Sequence, residues 1–290
     1  MFGKLHLGLP FWSFDGWQGG LYTRDSRSPD FLRQYGRAFN SVEGNTTFYA
    51  EPPARTVAKW NAESPDGFRF CFKLPRTITH DAMLHDVRDD ALRFLERIEP
   101  LSAKLGPVMI QLPPNFGAAD LTRLEKFIEA LPGGFRYAVE FRDRELAEDG
   151  MSARLADDLL EANDVGRVIM DTRPMRDGSG DHPDVQAARQ KKPNLPTREE
   201  ALSMDPVARI VFHPDPVVNE RWLDRWSKIL SHWIRDGLEP FVFVHSPSNV
   251  ESPHIARDLL SRIDQLEKVG TMPKWPGEAG ESASGQLSFL

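Results

Sequence analysis

Eight short apolar runs alternate with helical patterns along the 290-residue chain, and that alternation limits its fold more than any other feature. The runs are Leu5–Pro10, Phe39–Gly44, Phe68–Leu74, Val108–Leu112, Tyr137–Phe141, Arg167–Asp171, Arg209–His213 and Phe241–His245. Their starts fall about 30–40 residues apart. Several are continuously apolar, as strands covered on both faces are. Helical spacing fills the intervals; in DLTRLEKFIEALP, for example, Leu121, Leu124, Phe127, Ile128 and Leu131 share one face. Such alternation predicts an α/β fold with a parallel sheet. Eight units, the last followed by a helical pattern, predict a TIM-type (β/α)8 barrel as a single domain over residues 1–270.

Two segments break the rhythm. The connection between the sixth and seventh runs, about Thr172 to Val207, is long and carries DGSGDHP and the basic stretch ARQKKPNLP. Loops of that length in a compact domain are usually functional or disordered, and the basic part at Arg189–Lys192 is a candidate cover for the barrel mouth. Residues 271–290, rich in Gly, Pro, Ser and Glu, read as a flexible tail ending in QLSFL.

Charge and hydropathy exclude some partners. A net charge of −7 and a pI of about 5.7 argue against a whole-surface grip on nucleic acid or on an anionic membrane. No stretch approaches about 18 apolar residues, so no span is expected. The first residues lack the apolar core of a signal peptide. The one cysteine, Cys71, lies in the apolar run FRFCFKL and reads as a core thiol. Together these point to the cytoplasm.

In an eight-stranded barrel the site is built at the C-terminal ends of the strands. Here those ends are polar: Glu43 and Asn45, Lys73, Gln111, Glu140 and Arg142, Asp171 and Arg173, His213, and His245, with Trp12 just past the first. Residues two apart on a strand share a face, so Glu43 with Asn45, Glu140 with Arg142, and Asp171 with Arg173 are expected to point the same way. Buried charges must be paired, and Lys73, Arg142 and Arg173 are the cations available to the acids. The set is either a ligand pocket or an ion-pair ring that plugs the barrel. Two Glu, one Asp and two His also suit a divalent metal in principle, but no local ligand spacing supports one, and the interleaved cations oppose it. Paired carboxylates would also serve a glycosidase, although the cations fit an anionic ligand better. Trp12, Trp17, Phe48 and Tyr49 are candidates to stack on a ring, whereas Trp222, Trp226 and Trp233 read as helix packing.

The motifs VEGNTTFYAEP, FRFCFKLPRTITH, QLPPNFG, AVEFRD and HSPSN, in that order between Leu5 and Leu266, resemble the YecE-like family. The resemblance implies a TIM-type barrel and brings no established activity. It carries the family's polar positions onto Glu43, Asn45, Thr47, Tyr49, Lys73, Thr79, His80, Gln111, Glu140 and Arg142. The chain departs from the commoner family pattern after the seventh run, where IVFHPD places Val211 and Pro214, and after the eighth, where HSPSN stands in place of an Asn pair.

These residues point to a small phosphorylated or carboxylated ligand at the barrel mouth. In this reading Glu43, Lys73 and Glu140 carry acid–base chemistry. Trp12, Asn45, Tyr49, His80, Gln111, Arg142, Asp171, Arg173, His213 and His245 surround the ligand, and no metal or cofactor is expected. The alternative is an interaction protein. Gln286, Leu287, Phe289 and Leu290 resemble the short peptides by which bacterial replication and repair proteins bind the sliding clamp, with Phe and Leu in the less common order.

Overall fold

The computed structural model describes residues 2–280. Each predicted run overlaps a strand, with β6 and β7 starting one and two residues early: β1 His6–Gly8, β2 Ser41–Gly44, β3 Arg69–Phe72, β4 Val108–Gln111, β5 Tyr137–Glu140, β6 Gly166–Asp171, β7 Val207–Val211 and β8 Phe241–His245. All neighbouring pairs are parallel. One ladder runs β1-β8-β7-β6-β5-β4, and β2 and β3 form a second. The strands thus follow barrel order, with two narrow seams.

Isolated bonds cross both seams. Between β1 and β2, the Glu43 amide donates to the Leu9 carbonyl at 3.0 Å. The Asn40 side chain adds two more there, accepting from the Leu7 amide at 2.8 Å and donating to the Leu5 carbonyl at 2.8 Å. Glycine is required at this seam, because a Cβ on Gly8 would lie 2.1 Å from the Ser41 carbonyl oxygen. Between β3 and β4, the Leu74 amide donates to Met109 at 3.0 Å and the Gly106 amide to Phe70 at 2.9 Å.

The strand period of two sorts side chains between inside and outside. Cys71, Met109, Ala138, Val168, Val207, Phe241 and Phe243 form a separate apolar cluster inside the ring of strands. The alternate residues pack outward against the helices in the main core, with Trp226 and Trp233 of the helix Pro216–Arg235 among them. The inner cluster is the floor on which the polar strand ends rest.

The long β6–β7 connection is structured. It contains the helices Arg173–Asp177 and Pro183–Lys191. Met175, Val185 and Ala188 bury themselves against Val211 of β7, with Met170 of β6 packed alongside. This connection is therefore docked beside the C-terminal ends of β6 and β7. Packing also continues beyond the expected boundary at residue 270. Trp275 is buried beneath the Arg257 guanidinium, which lies 3.4 Å from the ring centre and pairs with Glu278 at 2.8 Å. The aromatic ring explains why this segment packs while its composition suggests a tail. Gln286, Leu287, Phe289 and Leu290 lie outside the described residues.

Among the described residues no helix is long and apolar enough to cross a membrane.

Candidate functional site

Glu43, Lys73, Gln111, Glu140, Arg209 and His245 end up in one layer above the apolar floor. Each lies two residues beyond an inward-facing neighbour on its strand, or at the same parity, which is why six different strands deliver side chains to one level. Arg209 is the hub. Its Nε donates to Glu43 Oε2 at 2.8 Å and its Nη2 to Glu43 Oε1 at 2.7 Å, while Nη1 pairs with Glu140 Oε2. Lys73 Nζ lies 3.0 Å from Glu43 Oε1 and donates to Gln111 Oε1 at 3.0 Å. Arg142 Nε donates to Glu140 Oε1 at 2.7 Å, and His245 Nε2 stands 3.1 Å from Glu43 Oε2.

This geometry sets the protonation states. Burial pushes the Glu43 carboxyl up, but Arg209 and then Lys73 outweigh it and hold the group well below the usual carboxylate range. Glu140 balances in the same way: burial raises it, and Arg209, Arg142 and Lys73 bring it to about 2. Lys73 is lowered to about 8, first by burial and then by the charge of Arg209, with Glu43 opposing. Burial lowers His245 to about 4 despite Glu43, so its ring is neutral near pH 7. Both carboxyls are therefore ionised, and neither is kept as an acid.

Above the layer opens a cleft of about 690 Å³, within the range of small-molecule sites. Arg142, His80, Gln111, Asn45 and Tyr49 face it, as do Lys191 and Lys192 from the β6–β7 connection. Asn45 is held by donating to the Pro10 carbonyl at 2.9 Å. His80 sits in a single π-type turn, Thr77–Asp81, with Nδ1 and Thr79 Oγ1 at 2.9 Å and its ring edge-on to Phe48. Tyr49 is a rim residue, 76% exposed. Trp12 lines a neighbouring hollow of about 330 Å³ with Trp60 and Phe11, and this hollow shares Asn45 and Phe11 with the main cleft.

Three expected site residues lie elsewhere. Asp171 faces the helix layer, because Met170 takes the inward parity on β6. Its carboxylate accepts from Trp226 Nε1 at 2.9 Å and from Arg173 at 2.9 and 2.8 Å. Arg173 follows it outward, pairing also with Glu199 and lying over the Trp222 ring. His213 packs against Gly178 and organises the start of the helix Pro216–Arg235, accepting from the Asp215 amide at 3.0 Å. Arg209, not singled out from the sequence, lines the cleft, as does Lys192, which the sequence marked only as part of the basic stretch Arg189–Lys192. Arg189 of the basic stretch turns away and donates to the Arg176 and Gly178 carbonyls.

The plug of direct ion pairs and the open cleft are thus both present, one above the other. Among the described residues no three His, Cys, Asp or Glu side chains are grouped as a metal site.

A family model described as "Protein of unknown function DUF72" matches residues 6–279. The UPF0759 protein YecE of Escherichia coli (strain K12) is 33% identical over 276 residues, covering 95% of this chain and 98% of that protein. The UPF0759 protein YunF of Bacillus subtilis (strain 168) is 29% identical over 147 residues, covering 48% of this chain and 51% of that protein. Two crystal structures share the fold. A DUF72 family protein of Enterococcus faecalis V583 gives a TM-score of 0.67 at 17% identity, covering 92% of this chain and 96% of that one. Another, from Thermotoga maritima MSB8, gives 0.64 at 23% identity, covering 91% and 99%. The chain belongs to the DUF72 family, the YecE-like proteins of unknown function.

Proposed function

We propose that this protein binds a small phosphorylated or carboxylated ligand in the cleft at the barrel mouth, with the charged layer as the floor of the site. One observation carries the reading: the cleft wall holds an excess of positive charge. Lys73, Arg76, Arg142, Lys191, Lys192 and Arg209 line it, against Asp184 as the lining carboxylate among the described residues. The chain as a whole carries −7, so the excess is local. A concave site with one sign of charge focuses the field and raises the local concentration of counter-ions. Arg142 and Arg76 present planar donor forks suited to carboxylate and phosphate.

In this reading Glu43 and Glu140 hold Arg209, Lys73 and Arg142 in place. Carboxyls far below neutrality are weak bases, and two-carboxylate chemistry needs one kept protonated. Lys73, lowered to about 8, is the member of the layer whose titration lies closest to neutral pH, and any acid–base step falls to it.

Thermal shift and calorimetric titration with inorganic phosphate, sulfate and pyruvate, against uncharged analogues, test the reading. Arg142→Gln is the matching variant, because Arg209 still covers Glu140 when Arg142 is neutral. Losing one charge-assisted contact is worth about 1.5–3 kcal/mol, roughly a 10- to 100-fold weaker affinity. If no anion stabilises the wild type over its uncharged analogue, the proposal fails.

A further inference from the structure

We infer that the ε-amine of Lys192 is a nucleophile that captures a carbonyl group on the bound anion as a Schiff base. The ligand class narrows accordingly to 2-oxo acids and phosphorylated aldehydes or ketones. This rests on the anion-binding reading above.

Three lysines reach the layer or the cleft wall, and their surroundings separate them: Lys191 is exposed to solvent. Lys73 is 4% exposed and tied to Glu43 and Gln111, both at 3.0 Å. Its amine is held by those two partners. Lys192 combines a pinned backbone with an untethered amine. Its amide donates to the Ala188 carbonyl at 2.8 Å, and its own carbonyl accepts from Arg176 Nη2 at 2.8 Å. The next carbonyl, of Pro193, accepts from Thr172 Oγ1 at 2.9 Å. The helix before it is anchored on Val211 through Val185 and Ala188. Its side chain is half-buried in the cleft wall, where no acceptor lies within hydrogen-bond distance of Nζ among the described residues.

The chemistry follows from that placement. Burial, then the positive charge of Arg209, lowers the Lys192 amine to about 8, with Glu43 opposing and Lys73 and Arg142 adding to the fall. An unperturbed lysine titrates near about 10.4 and has almost no free lone pair at neutral pH; desolvation beside other cations is the known way to release one. Those same cations would hold the carboxylate or phosphate that brings the carbonyl within reach. In the step itself the Nζ lone pair attacks the carbonyl carbon and the C=O π pair moves to oxygen. Both amine protons then leave with that oxygen as water, and a C=N double bond remains. His80 lines the same cleft, and burial lowers its pKa, so a neutral imidazole is available to relay protons.

Reductive trapping tests the inference on the full chain. Glyoxylate supplies a carboxylate and an aldehyde in the smallest form, and cyanoborohydride fixes any imine as a carboxymethyl-lysine. Intact mass and peptide mapping are expected to find one adduct per chain, at Lys192, suppressed by inorganic phosphate and absent from Lys192→Arg, which keeps the charge. Propanal, without the anion, should label poorly. If glyoxylate raises the melting temperature but the adduct falls on Lys73, spreads over surface lysines or persists in Lys192→Arg, the Schiff base is refuted while anion binding stands. If glyoxylate and phosphate neither shift the melting temperature nor compete, the anion reading falls and takes this inference with it.

Discussion

Replacing Arg209 with methionine isolates what the charged layer contributes to stability. Methionine keeps much of the stem volume and removes the guanidinium, which makes two bonds to Glu43, at 2.8 and 2.7 Å, and one to Glu140. Both carboxylates are buried to 0% exposure. Glu43 keeps Lys73 at 3.0 Å, and Glu140 keeps Arg142 at 2.7 Å, so each retains one cation. Breaking a buried pair by removing one partner costs about 3–5 kcal/mol, a large share of a typical domain stability of about 5–15 kcal/mol. Arg209→Met is therefore expected to fold but to lose about that amount in urea denaturation at pH 7. Glu140→Gln removes the carboxylate partner of Arg209 Nη1 and of the partly exposed Arg142 but leaves the two Arg209–Glu43 bonds intact, so it should cost less, about 1–3 kcal/mol.

The pH dependence supplies a second check. Glu140 has a folded pKa of about 2 against 4.5 when unperturbed, so its stabilisation is present above the unfolded value and is lost as pH falls through the folded one. Without Arg209, burial acts against fewer opposing charges, the folded pKa rises, and this increment shrinks. The gap between wild type and Arg209→Met should be full at pH 7 and should close towards acid. A variant within about 1 kcal/mol of wild type at pH 7, or a gap that stays constant into acid, would show that Arg209 is not what neutralises the two glutamates.

Asp171→Asn should destabilise the fold by about 2–4 kcal/mol, because it strands the donors of Arg173 and Trp226, yet leave anion binding unchanged, as calorimetry on the variant would show. The alternative of a clamp-binding tail has its own test: if it holds, a labelled Ser282–Leu290 peptide binds purified sliding clamp in fluorescence anisotropy and weakens with Gln286→Ala or Phe289→Ala, whereas equal, weak signals from all three peptides remove it.

The strands were legible because strands covered on both faces are largely apolar, as in β8, which reads Phe-Val-Phe-Val before His245. The seams were not legible. Gly8 in LHLGLP looks like any strand glycine, and its need for close approach to Ser41 depends on which strand lies beside it. The tail boundary was hidden for a related reason. Composition averages over residues 271–290, whereas one ring, Trp275 under Arg257, decides whether the first part packs.

Within the site, Glu43, Lys73, Gln111, Glu140 and His245 were found because a polar residue at the end of an apolar run has few places to go. Asp171 carries the same signal for a different reason: it serves the indole of Trp226 on the outer face. Polarity at a strand end thus marks a hydrogen-bond obligation, and parity against a neighbour of known facing decides which side meets it. Arg209 was passed over because it opened the apolar run Arg209–His213, where a cation reads as solvent-facing. The strand in fact starts at Val207, and inward-facing Val207 puts Arg209 inward by the period of two. Charge accounting points the same way. Two acids buried at one level each need a cation, and Lys73 and Arg142 satisfy that count on paper. Arg173 follows Asp171 outward, however, and the layer needs a centre that reaches β2 and β5 at once. Only a long, forked side chain rising from the opposite wall spans both carboxylates, and among the inward positions of β6, β7 and β8 that leaves Arg209.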